Sequence, residues 1–424
     1  MLRLLHTADV HLGARHTDLG ERATILRERQ FAAFRNSIEL ALSEDVDMFL
    51  VAGDLFDSNT QPRRSVERVA AELSRLVRAG IRTVIIPGTH DVYDGASIYR
   101  SYDLANLARA GSDWVVVLTP YLPETVFPQL DAIVYGRVFD AKRSPRSPLA
   151  GLDARSDTRA NWKIGMVHGA LSIPGKTDRD NVVFTEEEIA RTGLDYLALG
   201  HWHSAIEGRA GSVTYAYSGA PEPVALDQDR AGQVLLVTFD DSDGQRTVKI
   251  EPRRVGQTDM EKVELDISAI PSQPALIDAI GRYADANLVL DVRLTGLHPD
   301  ELDMDVDEVE RALAPSFLRL RVRDVSIPAG AEGNPPPPDT VLGAFCRMIE
   351  ERLAALEGSA APQPTAGAPA DATTAETTAA DATAADATAV ASTAAASTAT
   401  DEAAELREVL RLGRHLLEGR EVTL

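Results

Sequence analysis

Along the first half of the chain, short apolar runs alternate with longer segments in which apolar residues return every three or four positions. The runs at Leu2–His6, Met48–Val51, Thr83–Ile86, Lys163–Val167 and Tyr196–Leu199 predict buried strands, and the longer repeat at Thr24–Leu42 predicts an intervening helix. Strands separated by helical segments imply an α/β layout. From Val213 to Arg254 the spacing tightens. Gln233–Phe239 and Thr247–Glu251 flank Asp240-Asp241-Ser242-Asp243-Gly244, which predicts a turn between two strands and the completion of a second sheet.

A second unit follows. Val263–Ile267, Leu288–Thr295 and Phe317–Val325 are strand-like, with helical repeats at Gln273–Ala284 and Val306–Leu313 between them, so a small β-α-β-α-β domain is predicted. Asn334 to Asp339, with four prolines between, predicts a stiff polyproline segment ending at an Asp suited to cap a helix. In that helix Val341, Phe345, Met348, Ile349, Leu353 and Leu356 form the predicted apolar face. Ala, Thr, Asp, Pro and Ser then dominate up to Thr400, a composition that predicts a solvated tether. Amphipathicity returns with Leu406, Val409, Leu410, Leu416 and Leu417. The predicted divisions are a main body over 1–258, a small domain over 259–330, a linker and amphipathic helix over 331–358, a disordered tether over 359–400 and a terminal amphipathic helix over 401–424.

Composition narrows the class of protein. Of 424 residues, 44% are apolar and 25% charged, as in globular proteins, and no apolar run approaches the roughly 18–20 residues that cross a bilayer. The N-terminal stretch lacks a signal-like apolar region, so the chain is expected to start near Met1 and to stay in the cytoplasm. The single cysteine, Cys346, cannot form an internal disulfide, in keeping with a reducing compartment. A net charge of −22, spread along the chain, argues against adhesion to nucleic acid through charge alone and leaves room for locally basic surfaces. Two such surfaces are candidates: Arg319, Arg321 and Arg323 on one face of a strand, and the loop carrying Arg137, Lys142, Arg143, Arg146, Arg155, Arg159 and Lys163.

Five motifs each follow a predicted strand: Asp9-Val10-His11, Gly53-Asp54-Leu55-Phe56-Asp57, Gly88-Thr89-His90-Asp91, His168-Gly169 and Gly200-His201-Trp202-His203. Strand carboxyl ends gather at one edge of an open α/β sheet, so these groups are expected to converge. Asp9 with His11, and His201 with His203, are two apart, which places each pair on one side of an extended segment. Carboxylate oxygens mixed with imidazole nitrogens suit manganese, iron or zinc, with Asp54 as the natural bridge between two ions.

In this order the motifs resemble those of the calcineurin-like metallophosphoesterase superfamily, and within it the SbcD nuclease subunit family; the Tyr217–Val224 stretch matches the same branch. The resemblance implies a four-layer α-β-β-α sandwich with a small α/β cap and a helical C-terminal tail. It also implies that Asp9, His11, Asp54 and His203 hold one metal, and Asp54, residue 89, His168 and His201 the other. His90 would stabilise or protonate the leaving oxygen, with Asp91 fixing its orientation. Two divalent ions, manganese foremost, would polarise the phosphate and activate the nucleophile. The implied substrate is DNA. The implied partner is a coiled-coil ATPase of the SbcC type, bound through the C-terminal helices, and a homodimer is a further analogy.

The sequence departs from the family at Thr89, where Asn is usual. The Thr hydroxyl sits one bond nearer the backbone, so the second metal is expected to be held more weakly or through a water. Asp57 reads as a turn or cap residue and His6 as a core residue, while His16, His298 and His415 carry no motif. Two other functions share these motifs: hydrolysis of small phosphodiesters or phosphomonoesters, and a non-catalytic adaptor role.

Overall fold

The computed structural model describes residues 1–16, 23–141, 144, 146–173, 177, 182–223, 225, 228, 230–298, 302–328, 336–337 and 339–359, with 406, 409, 410 and 417 near the C-terminus. The described residues fall into two compact units, divided between Ile327 and Pro328. The tether over 360–400, most of the terminal helix, and Lys142 and Arg143 of the basic loop lie outside the described residues.

Two six-stranded sheets form the centre of the first unit. One runs Thr247–Arg254, Gln233–Asp240, Leu2–Thr7, Met48–Ala52, Arg82–Ile86, Val115–Val117; its last four strands are parallel and its first two antiparallel. The other runs Ile206–Ala210, Val213–Tyr217, Tyr196–Gly200, Trp162–His168, Ala132–Arg137, Glu124–Phe127, with a parallel centre and antiparallel edges. Alternation along Met48–Ala52 shows how these strands serve two layers at once. Met48, Leu50 and Ala52 join the core between the sheets, whereas Phe49 and Val51 join the core under the helices Ala23–Ser43 and Arg63–Arg78. All five are buried, which is why the strand reads as a continuous apolar run.

Ile164, Met166, Tyr196 and Ala198 of the second sheet meet Leu4, Leu50, Val84 and Ile86 of the first in the middle layer. Behind the second sheet, Val167, Leu197, Leu199 and Tyr215 pack against Leu149, Leu152 and Ile189. Among the described residues that outer layer holds one short helix, Glu186–Arg191, started by a capping box between Thr185 and Glu188. The architecture is thus the four-layer sandwich.

The helix Arg63–Arg78 was not predicted, although Val66, Val69, Ala70, Leu73 and Leu76 are spaced to bury one face. The small domain has a three-stranded parallel sheet of Asp259–Asp266, Leu288–Thr295 and Arg319–Asp324, whose inner face packs on the helices Gln273–Gly281 and Val306–Leu313. It belongs to the same compact unit as the main body. Leu26 packs with Met260, Val289 and Leu318, and the Arg29 guanidinium donates to Thr258 Oγ1 at 3.0 Å and Asn287 Oδ1 at 2.7 Å.

In the second unit a helix spans Val341–Ser359. Its cap is Thr340 rather than Asp339, since Gly343 N donates to Thr340 Oγ1 at 3.0 Å. Cys346 and Ile349 are buried, whereas Val341 and Met348, expected on the apolar face, are exposed. At 3.6 residues per turn both fall about 100–120° from the centre of the stripe formed by Leu342, Phe345, Cys346, Ile349 and Leu353. Among the described residues no helix is long and apolar enough to cross a membrane.

Candidate metal centre

All five motifs sit at strand carboxyl ends, three on the first sheet and two on the second, and the structure brings them to one place. The segment after Leu2–Thr7 runs beside the segment after Met48–Ala52: Asp9 N donates to Gly53 O at 3.1 Å, His11 N to Asp54 O at 3.0 Å and Leu12 N to Leu55 O at 3.0 Å. Asp9 and His11 do not lie on an extended segment as the spacing implied. Their φ values are 53° and 50°, and Asp54 and His201 share the left-handed region at 52° and 104°. Four of the eight non-glycine residues with positive φ among the described residues are therefore candidate ligands. Each such conformation costs roughly 1–3 kcal/mol and persists where the surroundings over-determine it, as at functional sites.

Asp54 is the hub. Its Oδ2 lies 3.1 Å from His168 Nε2 and 3.8 Å from His11 Nε2, and it accepts from Thr89 Oγ1 at 3.4 Å. Its Oδ1 accepts from His90 N at 2.8 Å. His11 Nε2 and His203 Nε2 are 3.2 Å apart, and His203 Nε2 is 3.9 Å from Asp9 Oδ1. Asp9 in turn accepts from His201 N at 3.0 Å, tying the two sheets together at the site. The His201 ring stands edge-on to that of His168, with centroids 5.3 Å apart.

The donor set fits divalent metal ions. Asp9, His11 and His203 form one cluster of ligand atoms within 4.8 Å of one another, and Asp9, Asp54 and His168 form another. His168 Nδ1 faces the Ala52 carbonyl at 3.0 Å, an arrangement that fixes the tautomer and aims Nε2 at Asp54. That Nε2 is buried, and the Asp54 carboxylate 3.1 Å away is the group with which it would share an ion. Close backbone approach explains the flanking glycines. A Cβ on Gly88 would lie 2.3 Å from Asp54 Oδ1, and one on Gly53 would lie 2.2 Å from His168 Nδ1.

Electrostatics agree with the geometry. Burial alone would push His168 down, but the charge of Asp54, its hydrogen bond and the charge of Asp9 raise it to about 10. His11 is likewise raised against its burial, by a hydrogen bond to Asp57 and by the charges of Asp54, Asp9 and Asp57. For Asp54, the charge of His168 and its hydrogen bond outweigh burial, and the carboxyl falls far below the usual range. His203 moves down, chiefly through burial. The field at the site therefore attracts positive charge.

The motif His90-Asp91 divides its work differently from expectation. Asp91 is fully buried and accepts from Gly88 N at 2.7 Å, Phe56 N at 3.1 Å and Tyr99 Oη at 2.5 Å, so it secures the loop. Burial, then the charge of Asp54, raises its pKa. The His90 ring is positioned by Asp57 instead, with Nδ1 3.0 Å from the Asp57 carbonyl and 3.7 Å from its Oδ1. Asp57 also lies 3.5 Å from His11 Nδ1. Sequence reasoning missed that role and missed Gln228, whose amide contacts His203 Nδ1. The Tyr217–Val224 stretch supports this side: Ala220 N donates to His203 O at 2.8 Å, and Tyr217 Oη donates to Gly169 O at 2.8 Å. The Thr89 hydroxyl reaches the hub, 3.4 Å from Asp54 Oδ2.

Of the two basic surfaces, the loop has two of its arginines paired locally. Arg155 pairs with Asp153 at 2.6 Å, and Arg159 pairs with both Asp157 and Glu124 at 2.6 Å. In the small domain Arg323 is committed to Asp291, at 2.5 Å. A cleft of about 500 Å³ that begins at Leu12, next to His11 in the chain, was not anticipated; Arg27, Glu28, Phe31, Arg64 and Arg68 also line it, and Arg68 is paired with Glu28 at 3.1 Å.

Comparison with known proteins agrees with this site. The calcineurin-like phosphoesterase family model matches residues 2–205. The chain is 26% identical over 299 residues to an uncharacterized metallophosphoesterase, YhaO, of Bacillus subtilis, covering 66% of each chain. It is 30% identical over 285 residues to the DNA double-strand break repair protein Mre11 of Aeropyrum pernix, covering 63% of this chain and 64% of that one. To the Mre11 protein of Methanopyrus kandleri it is 28% identical over 358 residues, or 78% and 74%. It spans just under two thirds of the length of the first two. With the motifs in place at the strand ends, residues 2–205 of this chain belong to the calcineurin-like phosphoesterase family.

Proposed function

We propose that the chain is a metal-dependent DNA phosphodiester hydrolase of the SbcD type, an exonuclease with endonuclease action at the same site. The observation that carries this reading is the convergence of Asp9, His11, Asp54, His168 and His203 on one carboxylate hub. Asp9, His11, Asp54 and His203 would hold one ion, and Asp54, Thr89, His168 and His201 the other, with manganese the proposed metal. When bound, such ions supply Lewis-acid polarisation of the phosphate and activation of the attacking water.

The chain's own residues do the rest. His90 is half exposed beside the hub, and its Nδ1 is engaged by the Asp57 carbonyl, so Nε2 is the nitrogen that can give a proton to the leaving oxygen. Asp91 keeps the loop from moving, and the cleft arginines Arg27 and Arg64 would hold a phosphate backbone near His11. The small domain over 259–330 would cap the site. The helices of 331–358 and 401–424 would bind an SbcC-like coiled-coil ATPase, the protein acting in the cytoplasm, as a homodimer, on DNA ends.

The test is nucleotide release from end-labelled duplex DNA with manganese, wild type beside His90→Ala. A loss of about 10²–10⁴-fold is expected; full activity in the variant would remove His90 from the mechanism. A second reading, hydrolysis of small phosphodiesters, is favoured by the −22 charge and the locally paired arginines. It would take first place if wild type hydrolysed a small diester and left DNA intact even with the ATPase partner added.

A further inference from the structure

The loop that carries His90 and Asp91 continues into an aromatic patch that the hydrolytic site does not use. Tyr93 follows Asp91 by two residues, and its ring meets that of Tyr121 edge to face, with centroids 6.4 Å apart. The Arg100 guanidinium lies 4.4 Å from the Tyr93 ring centre and 5.9 Å from that of Tyr121. Tyr121 is 79% exposed and Leu122 is 48% exposed. Single exposed apolar residues are ordinary; two rings and a guanidinium from two separate segments, meeting at the surface, are not.

The patch is rigid and mechanically tied to the catalytic loop. Tyr121 sits on a tight turn in which Thr119 N and Leu122 N exchange hydrogen bonds with each other's carbonyls at 3.0 and 3.1 Å. The Thr119 hydroxyl additionally accepts from Tyr121 N at 3.3 Å and Leu122 N at 3.1 Å. Asn59 clamps the segment after Asp91, donating to Val92 O at 2.9 Å and accepting from Ile98 N at 2.9 Å. Arg100 adjoins Tyr99, whose hydroxyl bonds the Asp91 carboxylate. Whatever lies on these rings is held in fixed register with His90.

We propose that Tyr93, Tyr121 and Arg100 form a stacking platform for an unpaired nucleobase of the nucleic acid whose backbone enters the metal centre. This rests on the nuclease reading and adds the feature of the substrate that is recognised, a base free of its duplex partner. An aromatic face beside a guanidinium suits a nucleobase of any identity, because every base presents a π-face. The charge balance points the same way. With −22 overall and Arg155, Arg159 and Arg323 paired to carboxylates, these three arginines add little phosphate attraction to that of the cleft, so stacking would supply a larger share of affinity.

The experiment is a cycle of one side chain against one chemical group. Binding of the full chain is measured by fluorescence anisotropy for a short phosphorothioate single strand and for the same backbone with abasic sites, using wild type and Tyr121→Ala. Removing the bases is expected to weaken binding to wild type by roughly 5–150-fold, and removing Tyr121 to abolish most of that difference, with Tyr121→Trp restoring it. Equal base dependence in wild type and Tyr121→Ala would overturn the platform and leave the nuclease reading standing. Failure of wild type to bind or cleave any oligonucleotide would overturn both. If Tyr121→Ala instead dissociates a dimer in sedimentation with base dependence unchanged, the patch is covered by a second copy of the chain and the platform is refuted.

Discussion

His6 makes the fold sensitive to acid at the layer that aligns the two halves of the metal centre. The imidazole is fully buried between the sheets, with Nδ1 2.9 Å from the Tyr196 hydroxyl of the opposite sheet. Burial pushes its pKa from 6.5 down to about 3, with the Leu199 carbonyl opposing only in part. The unfolded chain takes up a proton below 6.5 that the folded chain refuses until about 3. Stability from the neutral ring is therefore complete above the unfolded value and is lost as pH falls from there towards the folded one. Linkage gives a loss of about 2 kcal/mol between about pH 7 and pH 5, and a ceiling of about 5 kcal/mol below both values. The perturbation is His6→Gln, which keeps an acceptor for Tyr196 and removes the titration. The assay is urea unfolding at both pH values in chelator, followed by tryptophan fluorescence, since Trp162 packs on Phe239 in the same layer. Wild type should lose about 2 kcal/mol more than the variant on acidification, every other titrating group being common to both. Slopes equal within about 0.5 kcal/mol would refute the argument.

Other outcomes follow from the site. His168, raised to about 10, carries a proton at neutral pH in the metal-free protein, so loading with manganese should release about one proton, with any further release coming from His11, which is raised as well; calorimetry in buffers of different ionisation enthalpy would detect this, and zero release would contradict it. Gln228→Leu frees the His203 ring and is expected to weaken metal binding about 10–100-fold while leaving the unfolding midpoint of the chelated protein little changed. Thr89→Asn should tighten the weaker of two manganese sites in an equilibrium titration, and an unchanged second constant would place the Thr89 position outside the coordination shell. Gly88→Ala sets a Cβ against the Asp54 backbone nitrogen at 2.6 Å as well as its carboxylate, so both metal content and activity should fall.

The strands that position the site were legible because burial on both faces leaves a continuous apolar run, as in Met48–Ala52, and because each run ends in a Gly or in a motif residue. The small domain was legible for another reason: Leu288–Thr295 and Val306–Leu313 have clean periods, one near two and one near 3.6. The edge strands Glu124–Phe127 and Ile206–Ala210 were not predicted, since the half-exposed Glu124 and the exposed Glu207 and Arg209 break the apolar run. At the site, the choice of residues could be read but not their geometry. Spacing by two in Asp9-Val10-His11 implies a strand, and tertiary contacts with Gly53 and Asp54 override it with left-handed backbone at both positions. Asp57 and Gln228 were invisible for a related reason. Each acts on a histidine far away in sequence, and only the closed fold brings the Asp57 carbonyl to His90 and the Gln228 amide to His203. Ligand identity thus resides in short motifs, whereas ligand orientation, which sets how tightly ions are held and where His90 points, resides in contacts between motifs. A change at Gln228 should accordingly alter metal affinity and pH profile while leaving every motif intact, and one at Asp57 should do so while leaving every proposed ligand in place.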